Sequence, residues 1–181
     1  FPEDGEFLDQ IQSNLFYALD HAKLTNTDDV VFYSKELFAQ KKYMTRLKEA
    51  IRECVEEDCK GFRIVMQPIV ETKSEVCDAA EVLLRFTHPE FGVIGPMDFI
   101  PILENSKEII RVGKWVIDQS LQTLARWREQ IGHMPLKRLQ INVSYVQFKD
   151  PELLGYVVER LDHYQLPHDA VTVSYTHLRA H

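Results

Sequence analysis

Apolar residues recur at helical spacing near the start of the chain, at Leu8, Ile11, Leu15, Ala18, Leu19 and Ala22, and this spacing predicts an amphipathic helix. Asn26, Thr27 and Asp28 end it, and residues 30–33, Val-Val-Phe-Tyr, read as a short strand. One helix and one strand bury too little to form a domain, so residues 1–34 are expected to complete a unit lying upstream. A second helix is predicted from Ser34, a favoured N-cap residue, to about Asp58, with Leu37, Tyr43, Met44, Leu47, Ile51, Cys54 and Val55 on one side. Residues 35–60 thus read as a helix linking two domains.

After Gly61 the texture changes to strands alternating with helices, the pattern of βα units. Residues 62–70 and 78–86 read as strands, with Pro68 stopping the first. A long loop is expected around His88, Pro89, Gly92, Gly95, Pro96 and Pro101. A helix follows over 107–130, with Ile109, Val112, Val116, Ile117, Leu121, Leu124 and Trp127 facing inward. Strand 139–144, helix 152–164 and strand 171–175 complete the series. The fold class expected is α/β.

Composition narrows the partners. The 181 residues are 45% hydrophobic and 27% charged, with a formal charge of −7. No basic stripe is present to neutralise a nucleic-acid backbone, so polymeric DNA or RNA is not an expected partner. No run approaches the roughly 18 apolar residues of a membrane span, and no signal-peptide pattern opens the chain. The segment reads as cytoplasmic, without membrane contact. Cys54, Cys59 and Cys77 form no CxxC pair and have no nearby histidine ligand set, so free thiols are expected rather than a zinc site.

Strand alternation places Glu81, Leu83 and Arg85 on one face. A carboxylate in so apolar a strand needs a partner: either Arg85, as an ion pair at the strand end, or a metal, with the cation of Arg85 free to hold a phosphate. In 139–144, Leu139, Ile141 and Val143 share one face, while Gln140, Asn142 and Ser144 share the other. In a βα barrel the apolar face packs on outer helices, and polar inward residues near the strands' carboxyl ends build the site; an edge strand with a wet face is the alternative. Gln67 sits similarly, near the end of the first strand. His88 reads as a structural hydrogen-bonder or a ligand, and Trp115 and Trp127 as packing residues. No GxSxG turn occurs and no cysteine has an evident histidine base, so hydrolysis, if present, would use a metal-activated water.

The ordered series Gln67-Pro68-Ile69-Val70, Ala80-Glu81-Val82-Leu83-Leu84-Arg85-Phe86, His88-Pro89, Gly92, Pro96, Phe99-Ile100-Pro101, Glu104, Gly113, Trp127 and Ile141-Asn142-Val143-Ser144 resembles the landmarks of an EAL domain, with Val82 in place of the usual alanine of the name-giving triplet. The resemblance implies an incomplete TIM-like (β/α) barrel, with residues 61–173 as the front half of the domain. It also implies a cyclic-di-GMP phosphodiesterase using two Mg²⁺ or Mn²⁺ ions. Glu81 and Asn142 would then correspond to metal ligands, Gln67 and Arg85 to substrate contacts, and the intact parent would be a homodimer. A non-hydrolysing cyclic-di-GMP sensor or interaction module is the other reading.

Residues 1–34, with Ala18-Leu19-Asp20-His21-Ala22-Lys23, resemble the end of a GGDEF, or diguanylate cyclase, domain whose signature loop would lie upstream. Residues 174–181 depart from the EAL pattern: Ser174 stands where the resemblance expects a metal-ligating glutamate, and this tail is expected to be foreign to the barrel and poorly packed. A complete barrel needs about 250 residues. Residues 62–181 supply less than half of that, so this chain is expected not to turn over substrate.

Overall fold

The computed structural model describes residues 7–25, 34–72 and 75–175. The chain divides into two compact units, Phe1–Glu49 and Ala50–His181. In the first, α1 (Leu8–Thr25) and the opening turns of α2 (Lys35–Glu56) meet through Tyr17, whose ring lies edge-on to Phe38 at 4.9 Å. Lys41 pairs with Asp20 and sits 4.9 Å from the centre of the Tyr17 ring. Ala18 and Asn14 are buried, whereas Phe7, Leu8, Leu15, Phe16 and Leu19 are exposed. The expected strand at 30–33 lies outside the described residues.

In the second unit the last turns of α2 bury Ala50, Ile51, Cys54 and Val55. The chain then reverses through Asp58, Cys59 and Gly61, all at positive φ. Gly61 is required here: at φ +83° a β-carbon would lie 2.5 Å from the Thr87 carbonyl oxygen, and the Gly61 carbonyl accepts from Thr87 N at 3.0 Å.

Strands β1 (Phe62–Val70) and β2 (Cys77–His88) pair antiparallel, with Gln67 opposite Glu81 and Phe62 opposite Phe86. The other edge of β2 takes two partners. Its first half, Ala79–Val82, pairs in parallel with β4 (Arg138–Val143), and its end pairs with the short β3 (Gly92–Ile94). β4 in turn pairs in parallel with β5 (Val171–Tyr175), so the main order is β1-β2-β4-β5. In that order the first strand runs against the three parallel strands β2, β4 and β5.

Alternation along the strands separates two environments. Ala80, Val82 and Phe86 of β2 and Leu139, Ile141 and Val143 of β4 are buried. This face is covered by α3 (Pro96–Ser106) and α4 (Ile109–Ile131), which bring Phe99, Ile102, Leu103, Val112, Val116, Ile117, Leu121 and Leu124 into the core. The next crossover uses the one-turn α5 (Tyr145–Phe148) and α6 (Leu153–His163). Asp118 of α4 meets Arg160 of α6 at 3.3 Å and accepts from the Tyr164 hydroxyl at 3.0 Å.

Three expectations are corrected. Pro68 does not stop the first strand: it pairs with Ala80 inside β1, which is an edge strand among the described residues, where a missing N–H can face away from the sheet. The supposed loop at 88–101 holds β3 and most of α3. Pro96 begins that helix, where its fixed φ and missing N–H cost nothing, and burial of Phe99, Ile102 and Leu103 outweighs the interior Pro101. Packing also does not fail at Ser174, because β5 runs through Tyr175 and pairs with β4 along that length.

All three cysteines are free, with Cys54 and Cys59 buried and Cys77 exposed. Burial pushes the Cys59 thiol up to about 11 and moves Cys54 in the same direction. A thiol reagent at pH 8 should therefore label Cys77 first, and the other two only on unfolding; equal labelling of all three in the folded chain would contradict this. The folded state keeps the Cys59 proton to about pH 11, while the unfolded chain releases it near the ordinary thiol value. Stability should fall as pH rises through that interval.

Candidate active site

The polar face of the sheet is where the chemistry gathers. Asn142 lies on β4 between buried Ile141 and Val143, and so projects to the opposite side. Its Nδ2 donates to Glu81 Oε1 at 2.6 Å, although the two residues are 61 positions apart. Its Oδ1 accepts from the Ser174 hydroxyl at 2.6 Å, and Gln140 Nε2 donates to the same hydroxyl oxygen at 3.4 Å. A carboxylate only accepts, so Glu81 selects the NH₂ side of the Asn142 amide and leaves its oxygen toward Ser174. Three neighbouring strands thus contribute one line of hydrogen-bonded side chains.

Gln67 joins this layer from β1, where it is the direct cross-strand partner of Glu81 and is exposed. Arg85 lies four residues beyond Glu81 on the same half-buried face, and its Nη1 donates to the Leu84 carbonyl at 2.9 Å. Among the described residues the alternative ion pair between Glu81 and Arg85 is not formed. His88 ends β2, paired with Gly92, and its Nδ1 accepts from Glu90 N at 3.2 Å while its ring lies 5.3 Å from that of Phe91, the geometry of a structural hydrogen-bonder.

The donor set can be tested against a divalent ion. Glu81, Asn142 and Ser174 offer hard oxygen atoms only, which suits Mg²⁺ or Mn²⁺ and not a soft metal. One carboxylate and neutral oxygens fit part of one octahedral shell, not two shells. Among the described residues no three His, Cys, Asp or Glu side chains come together as a metal cage.

Between β2, β4 and the helices lies a mostly apolar cavity of about 210 Å³ whose lining includes Val82, Val112, Val143 and Gln147 and also Arg85 and Asn142. Gln147 was not among the residues expected to matter. It is buried, 5% exposed, and closes a capping box with Ser144: its Oε1 accepts from Ser144 N at 3.0 Å, while its own N donates to Ser144 Oγ at 3.5 Å. The signal was present in the sequence as Ser144-x-x-Gln147 directly after an apolar strand.

The EAL domain model matches residues 46–181. The chain belongs to the EAL domain family. A bifunctional diguanylate cyclase/cyclic di-GMP phosphodiesterase of Pseudomonas aeruginosa, MucR, is 27% identical over 157 residues, covering 87% of this chain and 22% of that protein. A cyclic di-GMP phosphodiesterase from the same organism is 31% identical over 116 residues, covering 64% of this chain and 19% of the relative. Among solved structures, a MucR phosphodiesterase in complex with cyclic di-GMP superposes with a TM-score of 0.64 at 26% identity, covering 71% of this chain and 50% of the other. The chain spans about a fifth of the length of these curated relatives. The partial sheet and the likeness to a solved EAL-domain structure agree with the expected fold class, an incomplete barrel.

Proposed function

We propose that this chain carries the front half of a bacterial cyclic-di-GMP phosphodiesterase domain, whose intact parent hydrolyses cyclic di-GMP to the linear dinucleotide pGpG in second-messenger signalling. The observation that carries this reading is the hydrogen bond between Glu81 and Asn142 on the polar sheet face of an EAL-family chain, with Gln67 beside Glu81 and Arg85 farther along. Glu81 and Asn142 would hold a Mg²⁺ or Mn²⁺ ion. Such an ion supplies Lewis-acid charge and a water of lowered pKa. The protein's own contribution is orientation: Glu81 gives the one negative charge, Asn142 an oxygen turned away from Glu81 by the bond its Nδ2 donates there, Arg85 a cation for a substrate phosphate, and Gln67 an exposed amide for the nucleotide.

Residues 61–173 are the barrel half in this proposal, 35–60 the interdomain helix and 1–34 the end of a GGDEF-type domain. The bifunctional relative, matched over most of this chain, supports that arrangement. Two ions, a homodimeric parent and a cytoplasmic location belong to the same reading, with 174–181 an atypical tail. No described helix is long and apolar enough to cross a membrane. One observation favours the sensor alternative: Ser174 stands where a glutamate is expected, and its hydroxyl donates to the Asn142 oxygen that a metal would use.

This 181-residue chain is expected to yield no linear dinucleotide with Mg²⁺ or Mn²⁺, and Ser174→Glu is expected not to restore turnover. That substitution adds a second carboxylate, yet two mutually repelling cations need more anionic oxygens than Glu81 and one new glutamate provide. Product formed by either protein, separated by chromatography, would overturn this proposal about the chain.

A further inference from the structure

We infer that Gln147 is a positioning residue for the candidate site, clamping the β4–α5 turn against α4 so that Asn142 keeps its orientation toward Glu81. The ladder leaves room for such a clamp on one side: β5 still pairs with β4 at Asn142 and Val143, but β2 does not. On the β2 side the pairing of β4 ends at Ile141, opposite Val82, so Asn142 stands one residue past the last backbone pair joining it to the strand of Glu81. Its link across that gap is its own side chain, at 2.6 Å. Two residues later the chain is pinned: Ser144 leaves the strand in an extended conformation, and its N–H donates to Gln147 Oε1 at 3.0 Å.

Gln147 in turn is keyed to α4. Gly113 is buried in that helix, and a β-carbon there would lie 1.6 Å from Gln147 Nε2 and 2.9 Å from its Cδ. The carboxamide fills space that any other residue at 113 would take. With Gln147 5% exposed and tied to Ser144 at both ends of the capping box, it has little freedom to yield. A displacement of α4 is thereby passed to the end of β4 and to Asn142. The importance of this clamp for chemistry rests on the proposed function, but its test uses neither metal nor nucleotide, so the two can fail separately.

The experiment follows solvent exchange of the Asn142 side-chain amide by NMR in the ¹⁵N-labelled chain, with the backbone amides of Leu139 and Ile141 as internal reference. Gln147→Met keeps the shape but removes the acceptor; Gln147→Glu keeps the acceptor; Gly113→Ala pushes the carboxamide aside. Exchange at Asn142 should be about fivefold faster in Gln147→Met and Gly113→Ala, the factor expected for loss of one hydrogen bond. It should be unchanged in Gln147→Glu, with the reference amides constant throughout. An unchanged Asn142 in Gln147→Met would overturn the inference, as would equal acceleration of all three amides or no rescue by glutamate. Should Gln147→Met not fold, Gly113→Ala makes the same comparison, and unfolding of both would assign Gln147 to stability alone.

Discussion

Replacing Phe86 by alanine should destabilise the second unit by about 3–5 kcal/mol, the usual range for deleting a fully buried phenylalanine. Phe86 has no exposed surface, and it is the residue of β2 that pairs on one side with Phe62 of β1 and on the other with Ile94 of β3. Its ring stacks on Phe62 at 4.3 Å and meets Phe99 of α3 edge-on at 5.8 Å, while Phe62 and Phe99 touch at 5.8 Å. Truncation would remove two of these three aromatic contacts and leave a cavity where three strands and a helix converge. Against a typical total of about 5–15 kcal/mol, that is a large share. Urea unfolding followed through the fluorescence of Trp115 and Trp127 measures it. Phe16→Ala, at a site 70% exposed, should change stability by less than about 0.5 kcal/mol. Comparable losses in the two variants would contradict this description of the core.

Elements with a clear period were legible in the sequence. β4 alternates in composition because one face is buried and the other is not, and α4 carries its apolar residues at helical spacing over six turns. The polar face could be assembled on paper for the same reason: Gln67, Glu81, Arg85 and Asn142 are among the polar residues that interrupt apolar strands. What periodicity could not supply was pairing. Nothing in residues 62–88 distinguishes a hairpin from a parallel crossover except the short connection between the strands, and β1 with β2 is a hairpin.

Proline and glycine misled where tertiary burial overruled a local rule. Pro68 and Pro101 read as breakers, but one lies in an edge strand and the other in a helix held by Phe99, Ile102 and Leu103. Gln147 was overlooked because its importance lies in a contact 34 residues away, with a glycine whose role is to be empty of a side chain. The contact of Ser174 with Asn142 was hidden in a different way: a departure from the EAL pattern directed attention to what was missing there, not to the hydrogen bond the hydroxyl makes.

The larger functional effect should come from Glu81→Gln. Glutamine retains an oxygen that can accept from Asn142 Nδ2, so the geometry of the polar face survives while its one carboxylate charge is removed. The chain should be joined after Val173 to the second half of an EAL-family phosphodiesterase, so that the rest of the barrel wall is supplied. Formation of linear dinucleotide from cyclic di-GMP is then measured with Mg²⁺ or Mn²⁺ in this chimera and in its Glu81→Gln variant, after both are shown to fold. The expected result is turnover by the chimera and a loss of at least about a hundredfold in the variant, the scale on which removing one preorganised electrostatic contact slows an enzyme. Equal turnover in the two proteins would contradict the assignment of Glu81, and a folded chimera that binds cyclic di-GMP without cutting it would contradict the enzyme reading in favour of the sensor.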